Sequence, residues 1–318
     1  LRLAILGAVA ICLFVPLVAR LWYLQIIKET AFIERVVDNT TETIIERAPR
    51  GRIIDVNGRI LVNNRQSIVV TLDKEEMSTV KTSDLDQLFF DLAREISLSG
   101  KLTKVTQIEA AYESDRYGPF AEVPVVQDIS KELQVYLAEF SYKWPGVGTT
   151  IITVRDYPYG SLAAHILGYV GSLSEGELSQ VANAAKPYLA NDEIGKAGIE
   201  LFYENALRGT PGRKTVVVDR FNNILDTTEE VPARAGSDVQ LTIDIDLQAM
   251  AEQYLKEGLD IARQQPTKFE EEGVIIYRAP AGAMVVMNPR NGTVLAMASF
   301  PTYDPGLFVS GIAQDEYD

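Results

Sequence analysis

The chain has 318 residues, of which 47% are hydrophobic and 23% are charged, so it is long enough for roughly two globular domains. Its 44 acidic and 30 basic side chains give a formal net charge of -14, which excludes the broad positive surface that a nucleic acid partner requires. A single cysteine, Cys12, and a single histidine, His165, exclude an internal disulfide and a zinc site built from several such residues. We therefore expect no metal and no organic cofactor, and a hydrogen-bonded structural role for His165.

The first patterned segment is apolar and has the length of a membrane span. Residues 3–21 read LAILGAVAICLFVPLVARL with Arg20 as their single charge, and at about 1.5 Å per residue they cover about 28 Å. An uncleaved anchor is favoured over a signal peptide because no small-x-small cleavage site follows the run. We predict one transmembrane helix within residues 1–23, with the N-terminus inside and the bulk of the chain extracytoplasmic.

An arginine-rich segment follows a connection over residues 24–45, which is predicted to pass from helix into the strand TTETII. The arginine-rich segment, residues 46–64, reads ERAPRGRIIDVNGRILVNN. The pair Asn57-Gly58 lies between RIIDV and RILVN and predicts a hairpin with a type I′ turn, in which both central residues have positive φ. SIVVTLD then predicts a third strand.

Helices and strands alternate after this hairpin. SDLDQLFFDLAREI predicts an amphipathic helix capped by Ser83, and SKELQVYLAEF predicts a shorter helix. TTIITVRD and TVVVD predict strands, and LSEGELSQVANAAKPY predicts another helix. GKAGIELFYENALRG predicts one helix closed by Gly209.

The pattern changes near Gly236, where DVQLTID predicts a strand that leads into the helix DLQAMAEQYLKEGLDIARQQ. The apolar side of this helix comprises Leu247, Met250, Ala251, Tyr254 and Leu255. Residues 266–279 are acidic and predict a solvated loop. AGAMVVMNPRNGTVLAMAS predicts a hairpin buried on both faces, and since only one covering helix precedes it, we expect the second domain to be incomplete.

Six segments, taken in chain order, resemble class B penicillin-binding proteins. They are RLWYLQI, RAPRGRIIDVNGRILV, YPYGSLAAHILGYVG, GKAGIELFYENALRGTPG, LTIDIDLQAMAE and AMVVMNPRNGTVLAMASFPTYDP. The resemblance implies an α+β protein of the bacterial inner membrane with a single transmembrane helix. It further implies an elongated pedestal or dimerisation-type domain over residues 46–235 and the start of an α/β, serine β-lactamase-like transpeptidase domain over residues 236–318.

The family catalyses peptidoglycan D,D-transpeptidation through an acyl-serine formed with a stem peptide or, in inhibition, with a β-lactam. Its S-x-x-K spacing is present at Ser78 to Lys81, but this motif precedes the catalytic-type region, and no S-x-N occurs in the chain. Lys214-Thr215 is followed by Val216 where the family has glycine. We expect the catalytic serine beyond Asp318 and no activity from these residues alone.

Three functions remain open at this stage. The first is a transpeptidase, with the elongation type (penicillin-binding protein 2) favoured over the division type. The second is a non-enzymatic membrane anchor and activator of a SEDS-type glycosyltransferase, supported by the small residues Gly7 and Ala8, which let helices approach closely in lipid, although plain lipid contact explains them equally. The third is an adhesin-like binding module, which the lack of clustered aromatic residues in the long loops disfavours.

The arginine-rich segment is the candidate site for coupling the pedestal to its neighbours. We expect its four arginines to pair with Asp55, with Glu46 or with acidic residues of GKAGIELFYENALRG; they are Arg47, Arg50, Arg52 and Arg59. Exposed ion pairs contribute only about 0.2–1 kcal/mol each, so a role in register and docking is favoured over bulk stabilisation. The alternative is a solvated hairpin without such a role.

Overall fold

The computed structural model describes residues 14–16, 41–78, 80–114, 117–118, 122–174, 176–177, 188, 192–218, 224–270, 273–276 and 278–309. Contacts divide the chain into two units: Leu1–Ala48 with Thr210–Arg234, and Pro49–Gly209 with Ala235–Asp318. The predicted anchor, including Gly7 and Ala8, lies outside the described residues except for residues 14–16, and no helix of the described part is long and apolar enough to cross a bilayer.

Fourteen strands are described. In chain order they are β1 (Thr41–Glu46), β2 (Ile53–Ile54), β3 (Ile60–Asp73), β4 (Glu122–Val126), β5 (Val147–Asp156), β6 (Val170–Ser172), β7 (Glu193–Gly195), β8 (Gly212–Val218), β9 (Ile224–Val231), β10 (Val239–Gln240), β11 (Pro266–Glu270), β12 (Gly273–Ile276), β13 (Gly282–Met287) and β14 (Val294–Phe300).

The α-helices of the described residues are numbered in the same way. They are α1 (Lys74–Met77), α2 (Thr82–Leu98), α3 (Val105–Tyr112), α4 (Lys131–Glu139), α5 (Ala164–Leu167), α6 (Gly198–Phe202), α7 (Glu204–Leu207) and α8 (Ile245–Gln264). The predicted helix LSEGELSQVANAAKPY lies largely outside the described residues. Strands and helices are both abundant, which confirms the α+β class.

The first unit contains a three-stranded antiparallel sheet in the order β1-β8-β9. The predicted strands TTETII and TVVVD therefore pair with each other, from Thr41 opposite Val217 to Glu46 opposite Gly212. On the other side of β8, Lys214 lies opposite Glu230, and such a pair of unlike charges favours this register.

The second unit is built on β3, a single strand of 14 residues. The prediction of two separate strands in this stretch was wrong, because the intervening polar residues continue the ladder to β5, from Asn63 opposite Asp156 to Leu72 opposite Val147. Strands β2 and β4 also pair with β3, and β10 pairs in parallel with β2. Strand β3 thereby joins the arginine-rich segment to the rest of the unit.

The hairpin between β2 and β3 is present, but its turn is not type I′. Gly58 has a φ of 83°, whereas Asn57 keeps a negative φ. The loop is closed by hydrogen bonds from Gly58 N to Asp55 O (3.1 Å) and from Asp55 N to Arg59 O (2.8 Å), the pattern of a three-residue loop that ends in a left-handed glycine. The Asp55 carboxylate stabilises this longer loop because it accepts from Asn57 N and Arg59 N, both at 2.8 Å.

A first core lies where α2, α3 and α4 pack on β3 and β4. The predicted apolar face of α2 is confirmed, with Leu92 and Ile96 fully buried. The predicted cap was wrong, since α2 begins at Thr82 and its N-cap is Lys81, so Ser83 lies inside the first turn. Helix α4 is capped as its sequence suggests, because Ser130 Oγ accepts from Leu133 N at 3.1 Å.

The predicted helix GKAGIELFYENALRG is divided. Gly195, the first residue of the predicted helix, is the last residue of β7, and Tyr203 separates α6 from α7. Gly198 at the start of α6 has a φ of 56°, and a Cβ there would lie 2.4 Å from Ile166 O. Because Ala197 before it is extended and Gly198 packs closely against α5, the helix cannot begin earlier, and the residues before Gly198 are not helical.

A separate core forms where α8 covers the hairpin β13–β14. Ala296 and Ala298 are fully buried on the covered face. The other face is exposed, as Val285 and Met297 show at 58% and 41%, so the prediction of burial on both faces was wrong for the described residues. The sequence does not show which elements cover a sheet, and apolar alternation alone fits one or two covered faces.

Two further predictions in this region need correction. On α8, Met250 and Tyr254 are 50% and 56% exposed, so the buried stripe is narrower than its apolar pattern suggests. Residues 266–279 contain the two-stranded antiparallel pair β11–β12 and are not simply a loop. The predicted domain limits at residues 23, 45 and 235 stay predictions.

Candidate functional site

A buried group of four charged side chains, here called the ion-pair cluster, comprises Arg50, Arg155, Glu200 and Glu204. Arg50 Nη2 donates to Glu200 Oε2 at 2.7 Å and to Glu204 Oε2 at 2.8 Å, and Arg155 Nε donates to Glu200 Oε1 at 2.7 Å. Glu200 is fully buried and Arg155 is 3% exposed. Arg50 therefore pairs with acidic residues of GKAGIELFYENALRG, which confirms that part of the prediction.

Three further residues, Asn64, Tyr188 and Gly195, complete the cluster. Asn64 on β3 accepts from Arg155 Nη1 at 3.0 Å and donates to Arg50 O at 2.7 Å. Glu204 accepts from Tyr188 Oη and from Gly195 N, both at 2.9 Å. The cluster thus joins the arginine-rich segment to β3, β5, β7 and the helix pair α6–α7.

The charges of the cluster are mutually stabilised. Burial by itself would lower the pKa of Arg50, but the carboxylates of Glu200 and Glu204 outweigh burial and hold the pKa of Arg50 above its usual range. Burial by itself would raise the pKa of Glu204, but the hydrogen bond and charge of Arg50 lower it overall. Burial, followed by the charge of Glu204, raises the pKa of Tyr188 to about 12.

Two buried donors in this region lack a hydrogen-bond partner among the described residues. They are Arg155 Nη2 and Tyr157 Oη. Burial, followed by the charge of Glu200, raises the pKa of Tyr157, so its hydroxyl stays protonated at neutral pH. With every carboxylate of the cluster already bound to a guanidinium, the arrangement can hold segments together but offers no free base.

The second arrangement, here called the hairpin–helix joint, comprises Asp55, Asn57, Arg59, Asp244 and Asp246. Arg59 donates to Asp55 Oδ2 at 2.8 Å, to Asp244 Oδ1 at 3.1 Å and to Asp246 Oδ2 at 2.7 Å. Asn57 Nδ2 donates to Asp244 Oδ2 at 3.0 Å. The hairpin is thereby fastened to the first turn of α8, and the predicted pairing of Arg59 with Asp55 is confirmed.

Asp55 and Asp244 accept hydrogen bonds from the first backbone N–H groups of α8, which have no acceptor within the helix. Asp244 is the N-cap and accepts from Asp246 N and Leu247 N. Asp55 is fully buried, and its Oδ2 lies 3.5 Å from Ile245 N. Anionic side chains are favourable at this end of a helix because its first N–H groups carry partial positive charge.

The pKa values in the joint follow from these contacts. Burial opposes ionisation of Asp55, but hydrogen bonds from Arg59 and Asn57 lower its pKa overall. The hydrogen bond from Asn57 is the largest cause that lowers the pKa of Asp244. Both carboxyls are therefore ionised at neutral pH.

The remaining predicted residues behave differently. Arg52 pairs with Asp238, a partner that the sequence did not suggest, through Nη2 to Oδ2 at 2.6 Å. Glu46, the last residue of β1, and the following Arg47 are both exposed. The structure thus brings Arg50, Arg52 and Arg59 to carboxylates at three different places along one unit.

Residues that the sequence did not single out complete both arrangements. Arg155 follows an apolar run in TTIITVRD, and a lone arginine at the end of such a strand is a weak signal of a buried partner. Asp244 and Asp246 lie at the predicted start of α8, where acidic residues are common for local reasons alone. Neither pattern identifies its partner, which lies 45 positions away for Arg155 and 185 positions away for Asp244.

The short motifs considered for catalysis occupy ordinary structural positions. Ser78 Oγ donates to Glu75 O at 2.7 Å at the end of α1. His165 Nε2 lies 2.8 Å from Pro301 O, to which it donates, and the ring packs edge-on against Tyr303, which confirms its hydrogen-bonded structural role. In the described ranges no group of three or more His, Cys, Asp or Glu side chains is placed to hold a metal ion.

Comparison with known proteins gives the same family from sequence and from structure. The model of the penicillin-binding protein dimerisation domain matches residues 45–241. The peptidoglycan D,D-transpeptidase MrdA of Escherichia coli K12 is 32% identical over 303 residues, which cover 95% of this chain and 43% of that protein. MrdA of Acinetobacter baumannii is 32% identical over 313 residues, which cover 98% of this chain and 41% of that protein.

Among solved structures, the complex between penicillin-binding protein PBP2 and MreC from Helicobacter pylori matches with a TM-score of 0.64 and 26% identity. The match covers 87% of this chain and 46% of that one. The chain therefore spans less than half the length of the relatives it matches.

Proposed function

Since the chain belongs to the penicillin-binding proteins that carry the dimerisation domain, we propose that it forms the pedestal and the first catalytic-domain elements of an elongation-type peptidoglycan D,D-transpeptidase. Residues 1–23 anchor it in the bacterial inner membrane as a single span, and the rest lies outside the cytoplasm. The serine that forms the acyl-enzyme with stem peptides or β-lactams lies outside residues 1–318.

The observation that carries this proposal is the placement of the arginine-rich segment. Its arginines bind carboxylates of the helix pair α6–α7 through the ion-pair cluster and carboxylates of α8 through the hairpin–helix joint. Helix α8 and the hairpin β13–β14 are the elements that we assign to the start of the transpeptidase domain. A pedestal needs rigid connections of this kind, and buried, mutually bound charges provide register because a shifted segment leaves a charge unpaired.

A labelling experiment tests the assignment of function. Fluorescent penicillin is added to membranes that contain either residues 1–318 or the same chain extended to the length of the relatives. We expect label only on the extended chain, because acylation needs a serine activated by a neighbouring base. Label on residues 1–318 that disappears in a Ser78→Ala variant would refute the assignment.

A second role, anchor and activator of a SEDS-type glycosyltransferase, is favoured by one specific observation. The PBP2 of the structural comparison was solved in complex with another protein, MreC, so at least one relative of this fold assembles with a partner protein. We test the role with Arg59→Gln in a reconstituted pair with the polymerase. A lower polymerisation rate with unchanged complex formation supports activation through the joint, and an unchanged rate rejects it.

A further inference from the structure

The sequence contains the pair Asn-Gly twice, at Asn57-Gly58 and at Asn291-Gly292, and both pairs lie in exposed hairpin turns. An asparagine before glycine is the sequence most prone to lose its side-chain amide, because glycine has no side chain to hinder attack by its backbone nitrogen. The side-chain amide of Asn57 donates a hydrogen bond, whereas that of Asn291 accepts hydrogen bonds, so loss of the amide nitrogen affects the two turns differently.

At residue 57 the amide serves as a donor. Asn57 Nδ2 donates to Asp244 Oδ2 at 3.0 Å, within the hairpin–helix joint. A carboxylate at this position could not donate, and it would face Asp244 directly. It would also be the fourth carboxylate around the single guanidinium of Arg59, after Asp55, Asp244 and Asp246. Loss of the amide thus replaces an attraction by a repulsion.

At residue 291 the side chain serves as an acceptor. Asn291 Oδ1 accepts from Thr293 N at 3.1 Å and from Thr293 Oγ1 at 2.9 Å. An aspartate retains both of these hydrogen bonds, because a carboxylate oxygen accepts at least as well as an amide oxygen. Asn291 therefore serves as an internal control, because it can lose its amide by the same reaction while its turn keeps these hydrogen bonds.

We propose that Asn57 is a self-modification site: its amide is lost when the hairpin–helix joint opens, and the modified residue then holds the joint open. In the reaction the Gly58 backbone nitrogen attacks the side-chain carbonyl carbon of Asn57. The new C–N bond forms as the C–NH2 bond breaks, the proton of the Gly58 nitrogen leaves with the amine as ammonia, and a cyclic imide remains. Water then opens the imide to aspartate or isoaspartate.

The closed joint hinders this reaction at both reacting groups. Gly58 N donates to Asp55 O at 3.1 Å, and the Asn57 side chain is held by Asp244. Both hydrogen bonds must break before the nitrogen reaches the side-chain carbon. Gly292 N is likewise held, since it donates to Asn288 O at 2.8 Å, so the two sites differ in their side-chain contacts. The Asn57 side chain is released when the contact with α8 opens, whereas the Asn291 side chain is held only within its own turn.

The experiment ages the intact chain in mildly alkaline buffer and follows both sites by peptide mass spectrometry, comparing wild type with Arg59→Gln. We expect the substitution to speed the reaction at Asn57 about tenfold relative to Asn291. This factor corresponds to a decrease of about 1.4 kcal/mol in the free energy that favours the closed joint. An unchanged ratio of the two rates would overturn the dependence on the joint.

A second measurement does not depend on Arg59 and uses two exposed positions. Asn57→Asp and Asn291→Asp each mimic one product, and hydrogen exchange is measured at the backbone amides of Asp246 and Leu247, which bind the Asp244 cap. We expect roughly tenfold faster exchange in Asn57→Asp, since a hydrogen bond to a charged group is lost, and no change in Asn291→Asp. Equal exchange in the two variants would refute the claim that the modified residue holds the joint open.

Discussion

Replacing Glu200 by glutamine tests whether the ion-pair cluster stabilises the second unit against unfolding. Glu200 is fully buried and accepts from Arg50 Nε at 3.2 Å, from Arg50 Nη2 at 2.7 Å and from Arg155 Nε at 2.7 Å. Glutamine has nearly the same volume, so packing is preserved and the change is one of charge and hydrogen bonding. It leaves two guanidiniums with Glu204 as their one remaining carboxylate in the cluster.

The magnitude follows from the burial of the partners. The side chain of Arg155 is 1% exposed and that of Arg50 is 11% exposed, so water cannot replace the lost carboxylate oxygen at Arg155. Removal of one partner from a buried ion pair costs about 3–5 kcal/mol, because the other charge remains buried and unpaired. We therefore expect Glu200→Gln to lower the free energy of unfolding by that amount.

The assay is urea-induced unfolding of the chain, followed by circular dichroism. The matched control is Arg94→Gln, since Arg94 forms its ion pairs with Asp91 and Glu95 at the surface, where its side chain is 55% exposed. An exposed pair is worth about 0–1 kcal/mol, so the control should unfold near the wild-type midpoint. If Glu200→Gln unfolds no earlier than Arg94→Gln, the cluster does not have the energetic role assigned to it.

Two other predictions concern pH and backbone packing. Folding lowers the pKa values of Asp55 and Glu204, so these groups contribute stability above the unfolded carboxyl pKa of about 4, and the contribution is lost as the pH falls through their folded pKa values. The free energy of unfolding, measured across acidic pH, should therefore fall with the pH. The fall should be smaller in Asp55→Asn, which lacks one of the two carboxyls. A Cβ at Gly236 would lie 1.7 Å from Leu207 O, so Gly236→Ala should destabilise the chain in thermal unfolding. Gly258 in α8 has open space around it, so Gly258→Ala should stabilise the chain by about 1 kcal/mol, the difference in helix propensity. The same sign for both variants would contradict the packing argument.

The amino-acid sequence determined the elements whose signals are local. The amphipathic helix α2, the hairpin at Asn57-Gly58 and the hairpin β13–β14 follow from periodicity and from turn residues that lie within a few positions of one another. The family also follows from the sequence, because its motifs are short and occur in a fixed order.

Only the tertiary structure decided how these elements are joined. The type of turn at Asp55 depends on its carboxylate being held against Arg59 and α8, and the exposure of Met250 on α8 depends on which elements cover that helix. The partner of Arg155 is a glutamate 45 positions away, and Arg59 binds, besides its neighbour Asp55, an aspartate 185 positions away. Pairings at such separations are fixed by the free energy of bringing folded segments together, which no local pattern of residues encodes.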